Sequence, residues 1–485
     1  MSARNLIRHS TAYAVARSLP GLLTFASLAL YTRWLTPEQF GRYTLVIAGV
    51  ALGRVVFFYW LRLSVLRLLP AQKDSRAEFL STVAIAYAAS CAVSLLAAAL
   101  LLSTGRPPLL IGLGVLLLWS YGWLDTNLDL LRSDLNPKLY GLVLSWRTGW
   151  SLILGAALIA LGWGEVGALV GTVLGTVLPG PGSRVLFAQW RLVARRLVSN
   201  DLFREMARYG LPPTAAIAFA YVIDTSDRLF LAWLHSAEAS GMYAAGYDLA
   251  QNAVSGLLLP ISLASLPLAV RLLETTGEKA AAREMERNFI MLLLVGLPAA
   301  VGLAVLAPNA SAVLLGPKFR ETARLVIPWI AFVGLFSSLM SLHFNRAFQL
   351  SKRTGKQIQP YAVAALVNVG LNLAWIPSMG ITGAIYSTAI AYLIATWLTW
   401  YVGRQVFPMR IPLRPTARVM TASAIMGIVL FPLREHLGAG WLAVQVVVGA
   451  CVYAACLAAL AGDVSPRRVV RFVFSDAVPR QIVSP

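Results

Sequence analysis

Apolar segments of roughly 20 residues, long enough for a helix to cross a bilayer core of about 30 Å, recur along the whole chain between short polar or basic turns. In order they lie near Ser10 to Trp34, Arg42 to Leu63, Phe79 to Leu102, Leu109 to Leu131, Leu139 to Gly162 and Val166 to Phe187. Two more share Tyr209 to Gln251, and the rest lie near Phe289 to Leu306, Leu325 to Phe348, Pro360 to Ile376, Ala384 to Val402, Val419 to Leu433 and Trp441 to Leu460. Backbone groups inside lipid must bond within their own segment, so each run is predicted to be helical. The pattern is that of an all-α polytopic membrane protein with about 14 transmembrane helices. Pro179-Gly180-Pro181-Gly182 is predicted to break span six. The mixed-charge run ETTGEKAAAREMER, between Arg271 and Arg287, suggests a solvated amphipathic helix on the membrane surface or a soluble loop, and the loop is favoured because no large apolar face accompanies its charges.

A motif also repeats. Trp34-Leu35-Thr36, followed by Glu38, Gly41 and Tyr43, returns as Trp233-Leu234-His235, followed by Glu238, Gly241 and Tyr243. The offset of about 200 residues is the scale of a six-helix half in a repeat-built transporter. The chain is therefore expected to hold a six-helix bundle over 1–190, a linker over 191–208 and a second six-helix bundle over 209–405. Two accessory helices and a cytoplasmic tail are expected to occupy 406–485.

Composition agrees with the pattern. Hydrophobic residues make up 58% of the chain, mean hydropathy is +0.69, and 13% of residues are charged, against about 25% in a typical soluble domain. The net charge of +20 would suggest nucleic acid in a soluble protein, but here the basic residues follow the loops. About 30 of the 41 Lys and Arg fall on the side that holds the N-terminus, which predicts cytoplasmic N- and C-termini and no nucleic-acid partner. The three cysteines, Cys91, Cys451 and Cys456, lie in apolar runs and the four histidines are scattered, so no metal site or cofactor is expected. No phosphate-binding GxxxxGK[ST] sequence occurs. The expected outer loops are short and poor in acid–base groups, so no enzymatic activity is expected.

Ionisable residues inside the spans are the candidate site, because charge facing lipid is costly. The cations are Arg17, Arg54, Arg147 and Arg228, and none is lysine. Arginine stays protonated and offers a planar fork of donors to phosphate. Arg54 has no acid within a helical turn and reads as unpaired and free for substrate. Arg17 and Arg147 are close enough to the inner surface to snorkel instead. Arg228 is expected to pair with Asp224 one turn earlier or with adjacent Asp227. Asp224, Asp227 and Asp248 are the ion-coupling candidates, with a satisfied ion pair or interhelical hydrogen bond as the alternative. Asp125, Asp129 and Arg132 fall on one helix face and read as a self-contained interfacial cluster. Asn368 and Asn372, one turn apart, read as interhelical hydrogen-bonding residues.

Several of these stretches together resemble polysaccharide exporters of the O-antigen flippase type. They are WLTPEQFGRYTLV at Trp34, YGLP at Tyr209, SDR at Ser226, LLGPKF at Leu314, and the Asn-bearing span eleven leading into IPSMGITGA. The parent group is the multidrug, oligosaccharidyl-lipid and polysaccharide exporter superfamily. The resemblance implies two six-helix repeats around a central cavity. It implies alternating access that carries polyprenyl-pyrophosphate-linked oligosaccharide from the cytoplasmic to the outer leaflet, for O-antigen or exopolysaccharide biosynthesis. It also implies a bacterial inner-membrane location, membrane lipids as partners and a polysaccharide polymerase as a further partner. Asp227 and Arg228 match the family's SDR pair and Gly316 its outer-loop glycine. Arg17 and Arg54 are similar in placement to cavity arginines of the related lipid II flippase, and spans thirteen and fourteen resemble that flippase too. Two alternatives share the architecture: a cation-coupled multidrug exporter and a lipid II flippase.

Overall fold

The computed structural model describes the backbone of residues 3–460 apart from 72–74, 104, 106, 135, 179, 182 and 263–264, and side chains from Leu19 onward apart from 185 and 186. The predicted tail beyond Leu460 lies outside the described residues. The first six spans are α1 (Ala3–Trp34), α2 (Pro37–Leu68), α3 (Arg76–Leu102), α4 (Pro108–Ser133), α5 (Pro137–Leu158) and α6 (Gly164–Val177). The next six are α7 (Asn200–Leu234), α8 (Ala237–Ser262), α9 (Glu278–Val305), α10 (Arg320–Leu339), α11 (Ile358–Met379) and α12 (Ile381–Gly403). The accessory pair is α13 (Leu413–Leu430) and α14 (Ala439–Leu460).

Eleven described helical runs are long and apolar enough to cross a membrane. One of them, Pro137–Val177, contains 41 residues, about 60 Å of helix and so twice the core thickness. It folds back on itself at Gly162 (φ 90°) and Gly164 (φ 52°), a backbone region that glycine enters without penalty, and α5 then packs along α6. α1 packs along α5, and α7 along α11 and α2. Together these helices follow the predicted segments one for one.

Local sequence sets the helix ends. Thr36 caps α2 in a reciprocal box with Gln39, with Pro37 in the first turn, an arrangement that contributes about 1 kcal/mol. Ser199 caps α7 and Asn136 caps α5. α6 stops at Val177 and a short helix, Ser183–Trp190, follows the predicted break. Pro179 and Gly182 of that break lie outside the described residues.

The mixed-charge run is not a loop. It forms the end of a helix at Ser265–Thr275 and the start of α9, separated by Gly277 at φ 95°. Ala269, Ala281 and Met285 are buried there against Phe407 and Met409, with Leu266, Leu272 and Leu273 alongside. That narrow apolar stripe is scattered among charges, which is why the run reads as solvated.

The repeated motif has a structural counterpart. The N-terminal ends of α2 and α8 pack face to face, and each copy's glycine meets the other copy's backbone. A Cβ on Gly41 would lie 1.8 Å from the Ala237 carbonyl oxygen, and one on Gly241 would lie 2.2 Å from that of Pro37. Beside this contact, the Gly316 N–H donates to Thr32 Oγ1 at 3.1 Å and Phe40 meets Phe319 edge-on. The largest buried apolar cluster spreads from here through α8, α10, α11 and α12. The accessory pair packs on α9, and Asn309 donates to Gln445 of α14 at 2.8 Å.

Candidate functional site

Two clusters of buried charge lie within the spans, one in α1–α6 and one in α7–α12. The first is built on α2 and α4. A π-helical turn over Arg54–Phe58 interrupts α2, and such turns place side chains that a regular helix would aim elsewhere. From this turn Arg54 donates to Asp125 Oδ2 through Nε at 3.1 Å and Nη2 at 2.5 Å. Two turns further along, Arg62 donates to Asp125 at 3.2 Å and to Asp129 at 2.7 Å, and Arg132 donates to the other oxygen of Asp129 at 3.1 Å.

Arg54 is therefore not unpaired, contrary to the sequence expectation. Its carboxylate partner is 71 positions away, on a helix that no window around Arg54 contains. Nor are Asp125, Asp129 and Arg132 self-contained, since Asp125 turns to the two arginines of α2. The Arg54 and Arg62 side chains remain 28% and 23% exposed.

Tyr121, one turn before Asp125, lies under both remaining guanidiniums of interest. Arg54 sits 4.5 Å and Arg147 5.2 Å from its ring centroid. Arg147 donates to Thr148 Oγ1 at 3.2 Å and has no carboxylate partner among the described residues. Four guanidiniums against two carboxylates leave this cluster two charges positive. Arg17 lies on α1, with its side chain outside the described residues.

The second cluster is built on α7, with α8, α11 and α12 around it. Asp227 is fully buried, and its hydrogen-bond partners among the described residues are neutral. Its carboxyl accepts from Asn372 at 2.7 Å, Tyr243 at 2.9 Å, Asn368 at 3.3 Å and the Thr388 hydroxyl. Asn368 and Asn372 thus make the interhelical bonds that their spacing suggests. Asp224 accepts from Tyr247 at 3.3 Å and from Tyr392.

Arg228 pairs with Asp248 of α8, and neither Asp224 nor Asp227 is its partner. With Asp224 and Asp227 held by hydroxyls and amides, the guanidinium crosses to the next helix and lies over Tyr247 at 5.0 Å. One guanidinium against three carboxyls makes this cluster two charges negative if all are ionised. The hydroxyl partners Tyr243, Tyr247, Thr388 and Tyr392 escape a reading of charged residues. Tyr243 alone carries a signal, as a member of the repeated motif.

A cavity of about 320 Å³ opens between α4, α5, α6 and the short helix Ser183–Trp190, bordered by Arg147, Trp123, Trp146 and Trp190.

A family model described as "Polysaccharide biosynthesis protein" matches residues 6–273. Among solved structures, the inward closed conformation of the lipid II flippase MurJ is similar over 93% of this chain and 99% of that chain, with a TM-score of 0.72 and 15% identity. An inward-facing multidrug resistance MATE family transporter of the MOP superfamily is similar over 84% of this chain and 99% of that one, with a TM-score of 0.63 and 15% identity. A MOP superfamily transporter from Pyrococcus furiosus is similar over 84% and 96%, with a TM-score of 0.58 and 16% identity. These likenesses show the fold. An uncharacterized membrane protein of Methanocaldococcus jannaschii, MJ1068, is 23% identical over 210 residues, 43% of this chain and 41% of that protein. The match thus spans about two fifths of that relative's length.

Proposed function

We propose that this chain, which belongs to the polysaccharide biosynthesis protein family, carries a lipid-linked oligosaccharide between the leaflets of the bacterial inner membrane by alternating access. The bundles at 1–190 and 209–405 are the moving units, 191–208 is the linker between them, and both termini are cytoplasmic. No covalent chemistry is part of the cycle. A polysaccharide polymerase is the natural recipient of the cargo.

One observation carries the reading: the excess of guanidinium over carboxylate around Tyr121, on side chains partly open to solvent. A polyprenyl pyrophosphate head entering low dielectric needs fixed positive charge along its path. Arg54 donates to Asp125 through Nε and Nη2 and remains partly exposed, which leaves it reachable by phosphate oxygens. Arg147 supplies charge that no carboxylate among the described residues offsets. Arg17, on the helix between these elements and the second half, and Arg228 complete the set of substrate-facing candidates.

The second cluster is the coupling element. Asp227, with Asp224 and Asp248 as neighbours, exchanges a proton or a small cation as access alternates. Its oxygen-rich cage of Asn368, Asn372 and Thr388, with Asn372 Oδ1 left without a partner, supports this role. The acidic excess of this half also favours a second reading, a cation-coupled multidrug exporter. Likeness over nearly the full length of a lipid II flippase favours a third, in which the cargo is that lipid.

Reconstitution into liposomes with fluorescent lipid-linked oligosaccharide tests the proposal. Protein-dependent movement of label to the opposite leaflet, abolished by Arg54→Ala at equal protein level, is expected. Efflux of a cationic dye without glycolipid movement would select the exporter reading.

A further inference from the structure

Between Glu321 and Glu435 the sequence contains no aspartate or glutamate, yet it contains ten arginines and lysines. Eight of the ten fall between Arg346 and Arg418, in two segments that pack on each other. The first is the turn from the short helix Arg346–Leu350 into α11, which carries exposed Lys352, Arg353 and Lys356. The second is the link from α12 into α13, which carries exposed Arg404, Arg410 and Arg414. Ala347 and Leu350 of the first are buried with Phe407 and Met409 of the second, and a Cβ on Gly403 would meet that of Ala347 at 3.3 Å. The two segments form one face.

None of the eight cations has a carboxylate partner among the described residues. The adjoining run from Arg271 to Arg287 sets four glutamates against four basic residues, and the chain beyond Leu460 has four arginines against two aspartates. Neither offers surplus negative charge.

The face also borders lipid. Trp397 is 56% exposed and stacks on Tyr401 with 17° between the ring planes, and Arg404, one turn on, lies 4.8 Å from the centroid of Tyr401 and 4.5 Å from that of Trp400. Apolar rings and then a guanidinium thus follow each other along one side of α12, the order in which acyl chains and headgroup follow each other in a leaflet. On α13, Leu413 beside Arg414 is 76% exposed. A guanidinium held by rings rather than by a carboxylate keeps its donors for an incoming phosphate. A free phosphate or an acidic peptide would meet the charge and leave the rings uncovered. A phospholipid meets both.

We propose that this face binds an anionic phospholipid of the surrounding leaflet, its phosphate held by Arg404, Arg410 and Arg414 and its acyl chains lying along Trp397 and Tyr401. On the topology proposed above this is the cytoplasmic leaflet. The lipid spans the end of α12 and the start of α13, so it fastens the accessory pair to the second bundle. The binding does not depend on what the chain transports.

Native mass spectrometry of the purified full chain, titrated with cardiolipin, phosphatidylglycerol, phosphatidylethanolamine and inorganic pyrophosphate, tests this. The two anionic lipids are expected to bind about tenfold more tightly than phosphatidylethanolamine. Arg404→Gln, Arg410→Gln and Arg414→Gln together are expected to weaken cardiolipin binding about a hundredfold, at about fivefold per arginine. These side chains are exposed, so the triple variant should melt like the wild type in lipid-free detergent, and only the wild type should gain thermal stability from cardiolipin. If the triple variant is unstable, Arg414→Gln alone carries the test, with an expected loss of about fivefold. Arg195→Gln with Arg196→Gln removes two exposed arginines of the linker and is expected to leave binding unchanged. Equal affinity for phosphatidylethanolamine, or an equal loss in the linker variant, would reduce the face to general surface charge and overturns the proposal. So does pyrophosphate that displaces cardiolipin at equal concentration, which would make this a site for free phosphate. Cardiolipin binding in a protein that moves no glycolipid would sink the transport reading and leave this site standing.

Discussion

In α1–α6 three guanidiniums share two carboxylates, Arg147 adds a fourth with no carboxylate partner among the described residues, and Arg54 and Arg62 remain partly wet. In α7–α12 one guanidinium pairs with Asp248, while Asp224 and Asp227 are held by hydroxyls and amides. The halves carry copies of one motif yet hold opposite sign. An exposed, incompletely neutralised cation is suited to a large anion that arrives and leaves. A sealed carboxyl with neutral donors is suited to an ion small enough to pass among helices. On the function proposed above, the two halves divide cargo and driving force between them.

The contrast can be broken most severely at Asp125. Asp125→Ala strips Arg54 and Arg62 of their shared carboxylate, and a loss of about 3–5 kcal/mol is expected, the cost of breaking a buried pair from one side; thermal unfolding in detergent measures it. A loss below about 1 kcal/mol would mean that water already neutralises these arginines. In the other half, Asp227→Asn keeps the shape but turns a donor toward Asn368 and Asn372. A smaller loss of about 1–3 kcal/mol is expected, together with loss of ion-dependent transport. Unchanged ion dependence would remove Asp227 from the coupling role.

Gly41→Ala tests what joins the halves. Its methyl would fall on the Ala237 carbonyl, so an overpacking loss of about 1–3 kcal/mol is expected, with easier reaction of a cysteine probe beside the α2–α8 contact. Tyr121→Leu removes the ring that Arg54 and Arg147 share. About 0.5–2 kcal/mol of stability should go, with glycolipid movement slowed but not abolished.

The spans are legible in sequence because lipid demands long apolar runs, and their breaks because proline and glycine punctuate them. The pairings are not legible. Arg54 and Asp125 stand on helices 71 positions apart, and Arg228 passes over an acid one turn away for one on the next helix. Proximity along a helix is a poor guide where neighbouring hydroxyls compete for the nearer carboxyl. The helix at Ser265–Thr275 is missed for another reason: at 11 residues it is too short to cross a bilayer, so a search for long apolar runs passes over it.

The π-helical turn at Arg54–Phe58 amounts to one residue inserted in a regular helix, so everything in α2 beyond it is rotated by about 100° relative to the part before. The segment up to Gly53 packs chiefly on α8, and the segment from Tyr59 chiefly on α7, with α4 alongside both. Deleting a single residue here would restore an unbroken spiral and swing Arg62 away from both aspartates.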